Sequence, residues 1–338
     1  RILAPNFVTL DRLHLRERNL LRAVAIAAGR ASPEVLYDEQ PEQPMIAPRA
    51  RPISVAQARA QGRLILVAED DEINQKVILQ QLELLGYAAE IAPNGKEALQ
   101  LWQTSVNAGQ AAHRYALLLT DLHMPEMDGY DLTQTIRREE AARGDGIHLP
   151  ILALTANALR GEETRAKSLG MDDFLTKPVL LKVLKVAIAH WVEPEIADGP
   201  ANIASPADGR LSSATPAATP AVADTADAPA LDVRILEALV GDDPVVIRDF
   251  LEEYGHSAAR LGAEFRAACT EDDMARVVSV LHKLKSSSRS VGALPLGELC
   301  NTIERAARNR DVAQVRGAAD TFEDALRAVR EALTRQLA

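Results

Sequence analysis

The stretch LILVAEDDEINQ, residues 64–75, sets the fold of the middle of this chain. Its first five residues are apolar without a break, the pattern of a strand buried on both faces rather than one alternating between core and solvent. Glu69, Asp70 and Asp71 follow, the first three of four consecutive acids, and from Ile73 to Leu85 the apolar positions fall at helical spacing. The same grammar repeats downstream. YAAEIA (87–92), YALLLT (115–120), PILALT (150–155) and DFLT (173–176) read as strands, and Asn94–Val106, Tyr130–Glu140, Arg160–Leu169 and Val179–Trp191 read as the helices around them. Five β-α units within residues 63–192 predict an α/β domain, a doubly wound five-stranded parallel sheet.

Toward the C-terminus, residues 193–230 are dominated by Ala, Pro, Asp, Ser and Thr, with no aromatic residue and no Lys. Such a segment buries too little apolar surface to offset chain entropy and is expected to be a flexible Ala/Pro-rich linker. From Leu231 the strand pattern ceases. VRILEALV, PVVIRDFLEEY, MARVVSVLHKL, LGELCNTIERAA and VRGAADTFEDALRAVREAL read as successive amphipathic helices, so residues 231–338 are expected to form an all-α helical bundle. Toward the N-terminus, residues 31–62 contain SPEVLYDEQPEQPMIAPRARP and read as a second linker. Residues 1–30 read as the tail helix of a preceding domain, since Leu13, Leu20, Leu21, Val24 and Ile26 keep helical spacing and Gly29 supplies a stop. With Arg1 in place of an initiator Met and no signal peptide, a piece of a longer protein is expected.

Composition narrows the function. Apolar residues are 47% and charged residues 25% of the chain, which excludes disorder throughout. A net charge of −10 supplies no basic footprint for a phosphate backbone, so no nucleic-acid partner is expected. The apolar run from Val179 to Val192 is broken by Lys182 and Lys185, so no membrane contact is expected of this chain. Cys269 and Cys300 form no CxxC and no disulfide framework, which fits a reducing, cytoplasmic setting.

In a doubly wound sheet the reactive crevice lies beyond the carboxyl ends of the strands. The first strand delivers Glu69, Asp70 and Asp71 there, the third Asp121, the fourth Thr155, and the fifth leads into Lys177. Three carboxylates in one crevice repel unless a cation is present, and hard oxygen ligands in that number suit Mg²⁺. The plainer alternative is that Asp70 and Asp71 cap the next helix while Asp121 steadies a loop.

The blocks ILVAEDDEINQ, LLLTDLHMPEMDGY, LALTANA and DFLTKP, in that order, resemble the receiver domain of two-component signalling. The resemblance implies a flavodoxin-like sheet, Glu69 and Asp70 as the acidic pair that holds Mg²⁺, and Asp121 as phosphoacceptor and metal ligand. It further implies the backbone carbonyl of His123 as a metal ligand, Thr155 and Lys177 as the groups that receive the phosphoryl oxygens, and Phe174 as the aromatic switch. Asp71 stands where many members of the family carry Asn. The His123 side chain, two residues past Asp121 in a loop, is expected to face solvent.

In the helical part, Val277, Leu281, Leu284, Ser288 and Val291 form one stripe, and His282 lies about 100° around from Leu281 on the exposed face with Lys285, Ser286 and Arg289. Cations on its own face favour a neutral, nucleophilic imidazole. The wording HKLKSSSRSVGA, residues 282–293, resembles the histidine phosphotransfer (HPt) domain, a four-helix bundle. It implies His282 as phosphoacceptor and Lys285 as phosphate partner, with Ser286 where the family often has Gly.

Together the two resemblances imply the C-terminal portion of a hybrid sensor histidine kinase, a cytoplasmic piece whose parent protein could be anchored in a bacterial inner membrane. Such a chain would pass a phosphoryl group from a kinase core to Asp121, then to His282, then to a separate response regulator. It would be an enzyme only as part of that phosphotransferase. No GxxxxGK[ST] loop or other ATP-site block is present, so ATP would act only through the kinase core. Two alternatives stand beside this reading. A haloacid-dehalogenase-like phosphatase also uses an Asp after a parallel strand but needs an acid where this chain has His123; a partner-binding module would turn over no phosphate.

Overall fold

The computed structural model describes residues 2–4, 7–8, 53–107, 114–155, 160–192 and 229–338. Two short strands, β1 (Ile2–Ala4) and β2 (Phe7–Val8), pair antiparallel within the unit Arg1–Arg49. They stand inside the segment read as a tail helix; the helical stretch itself, 10–29, lies outside the described residues, as does the linker from 193 to 228. The remainder, Ala50–Ala338, is one compact unit.

The first element of that unit corrects a boundary. Residues placed in the 31–62 linker form helix α1 (Val55–Ala60), because Ser54 and Gln57 make a capping box and Ala58 is fully buried against the α/β core. Strands β3 (Ile65–Ala68), β4 (Ala89–Ala92), β5 (Leu117–Asp121), β6 (Ile151–Thr155) and β7 (Asp173–Thr176) then build an all-parallel sheet in the order β4-β3-β5-β6-β7. Helices α2 (Glu72–Leu84), α3 (Gly95–Asn107), α4 (Gly129–Arg143), α5 (Arg160–Ser168) and α6 (Leu181–Val192) connect and close it. Alternate residues of each central strand enter separate cores. Leu66, Leu118 and Ala153 pack with Trp102 and Ile136 on one face, and Val67, Leu119 and Leu152 with Ile78, Leu82 and Ile188 on the other. The chain reverses direction across the sheet between β3 and β5, which opens a crevice beyond those two strand ends.

The helical part comprises α7 (Val233–Val240), α8 (Pro244–Thr270), α9 (Met274–Val291), α10 (Leu294–Arg308), α11 (Val312–Gly317) and α12 (Ala319–Leu337), of which α8, α9, α10 and α12 are long. Asp243 caps α8 with Pro244 at its first turn, and Asp273 caps α9. Phe250, Tyr254, Phe265, Leu281, Leu284, Cys300 and Phe322 fill the interior. All five positions of the expected α9 stripe are fully buried, with Ser288 hydrogen-bonded to the Tyr254 hydroxyl at 2.8 Å. The same core takes in Ile73 and Val77 from α2, so this helix packs its own sheet with one side and the bundle with the other.

Candidate functional site

Glu69 and Asp70 follow directly on β3, and Asp121 ends β5, so the two strands flanking the crevice deliver three acids to it. Their carboxylate oxygens lie within 4.8 Å of one another. Lys177, just past β7 and before a cis peptide bond to Pro178, inserts its Nζ 2.5 Å from Glu69 Oε2 and 2.5 Å from Asp121 Oδ2. The His123 N–H donates to Asp121 Oδ1 at 3.1 Å. Thr155, buried at the end of β6, is tied to the same corner because the Lys177 N–H donates to its carbonyl at 2.7 Å. Close approach of α4 requires Gly129, since a Cβ there would run into the Asp121 carbonyl. Phe174 is half-buried on β7, with Lys167 Nζ 5.4 Å from its ring centre.

Burial governs the protons. It pushes the Glu69 carboxyl up to about 8, against the pull of Lys177. It acts on Asp121 in the same direction, but Lys177 and then His282 outweigh it and hold Asp121 below the usual carboxylate range. Asp71 takes no part in this cluster: it caps α2, its carboxylate accepting the Asn74 N–H at 2.9 Å, and burial pushes it up to about 6. The capping alternative thus holds for Asp71, while Asp70 faces the crevice.

The bundle covers this crevice with α9. His282, expected on an exposed face, is buried, as are Lys285 and Ser286. Two things cover it. From α10, Glu304 Oε1 lies 3.2 Å from His282 Nδ1, while Glu304 Oε2 accepts from Lys285 Nζ at 2.5 Å. Arg308 Nη2 donates to the same Glu304 Oε1 at 2.7 Å. From the α/β side comes His123, whose ring centre is 5.5 Å from that of His282 at an interplanar angle of 53°. The expectation of a solvent-facing His123 is corrected accordingly, since its ring also meets Tyr130 edge-on at 6.4 Å. Polar atoms of Asp121, His123 and His282 all fall within 4.8 Å of one another. Arg289, expected beside His282, is turned to Glu298 at 2.6 Å.

Two residues of consequence lay outside the sequence reading. Glu304 is one; its spacing of four from Arg308 on an amphipathic helix looks like an ordinary surface pair. Burial opposes its charge, but hydrogen bonds from His282 and Lys285 hold its carboxyl well below the usual range. A carboxylate only accepts, so the Nδ1 of His282 that faces Glu304 carries a proton. Lys283 is the other. Its Nζ reaches Asp70 Oδ2 at 3.1 Å and the Asp70 carbonyl at 3.2 Å, placing a cation of the bundle against the acidic cluster.

Residues 65–189 match the response regulator receiver domain family, and residues 246–332 match the Hpt domain family. This chain joins a receiver domain to an Hpt domain. The virulence sensor protein BvgS of Bordetella pertussis is 29% identical over 266 residues, 78% of this chain and 20% of that protein. The sensor histidine kinase RcsC of Salmonella typhimurium is 42% identical over 130 residues, 38% of this chain and 12% of its own length. The chain therefore spans a fifth or less of these two relatives. Among solved structures, the receiver domain of sensor histidine kinase PA1611 from Pseudomonas aeruginosa PAO1, with a magnesium ion in its active-site cleft, aligns at 36% identity over 39% of this chain and 98% of that one, with a TM-score of 0.32. No helix among the described residues is long and apolar enough to cross a membrane.

Proposed function

We propose that the chain is a phosphorelay module in which Asp121 takes up a phosphoryl group and His282 receives it. The observation that carries this reading is the approach of Asp121 and His282 within one crevice, at a separation that a single phosphorus atom in line between them can span. Nε2 of His282 attacks phosphorus with its lone pair as the bond to the Asp121 oxygen breaks and the carboxylate leaves as an anion. Glu304 holds Nδ1–H throughout and balances the positive charge that grows on the ring. Lys177 neutralises Asp121 from the opposite side, and Lys285, one turn from His282, is placed to receive phosphoryl oxygens on the histidine.

The three-carboxylate cluster fits a magnesium ion, being an all-oxygen set whose charge is met here by Lys177 at Glu69 and Asp121 and by Lys283 at Asp70. Glu69, Asp70 and Asp121 would hold it, with the His123 carbonyl as a further ligand. When bound, such an ion neutralises the phosphoryl oxygens. The donor is a histidine kinase core and the final acceptor a separate response regulator, as befits a chain similar to sensor histidine kinases over both of its domains. Phosphatase chemistry of the haloacid-dehalogenase kind lacks its second acid, since that position is His123.

Labelling with acetyl phosphate and Mg²⁺ tests the assignment. The wild-type chain should yield both acyl phosphate and acid-labile phosphohistidine, Asp121→Asn neither, and His282→Gln acyl phosphate alone. Phosphohistidine in Asp121→Asn would break the proposed order.

A further inference from the structure

Asn74, on the first turn of α2, is buried at the meeting of the two domains. Both ends of its carboxamide are engaged by the Hpt domain. Nδ2 donates to Ser286 Oγ at 2.8 Å, and Ser290 Oγ donates to Asn74 Oδ1 at 2.8 Å. Ser286 and Ser290 are one turn apart on α9, four and eight residues beyond His282, and both are buried. Ile73 and Val77 of the same helix enter the bundle core, and a small cleft lined by Asn74, Val77, Lys177 and Ser290 adjoins the amide.

That setting makes the contact discriminating. In separated domains the amide and both hydroxyls are hydrated; once docked, each loses water and needs the other side to replace it. A neutral polar group stranded in a closed contact costs more than a satisfied hydrogen bond contributes. Of the ion pairs of the same interface, those of Lys76 with Asp249 and Glu253 and of Arg260 with Glu72 sit in more exposed surroundings, where such pairs discriminate weakly, and that of Lys283 with Asp70 meets the acidic cluster itself. Asn74 Nδ2 is also 3.3 Å from Glu69 Oε1, which places the contact one side chain away from the acidic cluster.

Building on the relay reading, we propose that Ser286 and Ser290 read a carboxamide on the docking receiver, so that His282 exchanges phosphate preferentially with a receiver presenting an amide where this chain has Asn74. The preference covers the chain's own receiver and, because the same α9 face must admit it, the downstream one. Partners with an apolar residue at that helix position dock without either hydrogen bond, which leaves Ser290 only its donation to the Ser286 carbonyl at 3.2 Å, and exchange phosphate slowly.

The test uses the full chain, phosphorylated at Asp121 with acetyl phosphate and Mg²⁺, and follows phosphohistidine with time. Three variants are compared with wild type: Ser286→Ala with Ser290→Ala, Asn74→Leu, and all three changes together. Each one-sided change should slow transfer on the order of ten-fold, because it strands polar groups of the other side. The combined variant, apolar against apolar, should recover to within about three-fold of wild type. Acyl phosphate formation at Asp121 in the serine variant should match wild type. Wild-type transfer in the serine variant, or a combined variant no faster than Asn74→Leu, would overturn the proposal; the latter would mean that Asn74 acts through Glu69. Absence of phosphohistidine in wild type itself would instead count against the relay reading.

Discussion

Glu304 concentrates the electrostatics of the Hpt domain in one side chain. Its two oxygens gather the buried His282 and Lys285 and the half-exposed Arg308. Replacing it by Gln removes the charge and leaves the buried Lys285 ammonium without a counter-ion, a loss of about 3 kcal/mol by analogy with other broken buried pairs. The pH dependence follows from the direction of its shift. A carboxyl held below its ordinary 4.5 in the folded state contributes stability that is complete above that value and is lost as pH falls through the lowered one. The stability gap between wild type and Glu304→Gln, from urea titrations, should thus be constant between about pH 7 and 5 and shrink on further acidification. A gap that widens in acid would contradict the ion-pair account. Arginine at position 308 is half-exposed, so Arg308→Ala should cost far less than the change at Glu304.

At the scale of elements, the parts legible in the sequence are those whose neighbours are close in the chain or whose pattern is continuous. Uninterrupted runs such as LILVA and ALLLT declare central strands because both faces are buried, and strand ends then place Glu69, Asp121 and Thr155 at one edge. Helix α1 was hidden in a Pro-rich surrounding, although its Ser54 and Gln57 capping box was there to be read. The cover over His282 was not legible at all: Glu304 comes from the next helix, 22 residues on, and His123 from the other domain, and neither partner is marked by a pattern on α9 itself. For Gly292 the structure gives the physical reason. It ends α9 at φ +88°, its carbonyl accepts the Asp232 N–H at 3.0 Å, and a Cβ there would strike the Asp232 carbonyl. Gly292→Ala should therefore destabilise the Hpt domain by at least about 2 kcal/mol, left-handed strain plus the clash, while acetyl phosphate still labels Asp121. A neutral effect on thermal unfolding would show that the junction can relax.

Across the whole molecule the two domains meet with opposite charges on both sides. The receiver offers Asp70 and Glu72 to Lys283 and Arg260, and the Hpt domain offers Asp249 and Glu253 to Lys76. Salt weakens such pairs, so raising ionic strength from about 0.05 to 0.5 M should slow Asp121-to-His282 transfer several-fold. Lys76→Glu should slow it further, and adding Asp249→Lys and Glu253→Lys should restore part of the rate; indifference to all three charges would assign docking to the apolar contact of Ile73 and Val77 alone. The central claim is that Asp121 and His282 of the same chain exchange a phosphoryl group in the docked arrangement. Its most direct measurement starts from chain phosphorylated at Asp121 and follows phosphohistidine at several protein concentrations. The account predicts a first-order rate independent of concentration, abolished in His282→Gln; a rate rising in proportion to concentration would contradict it.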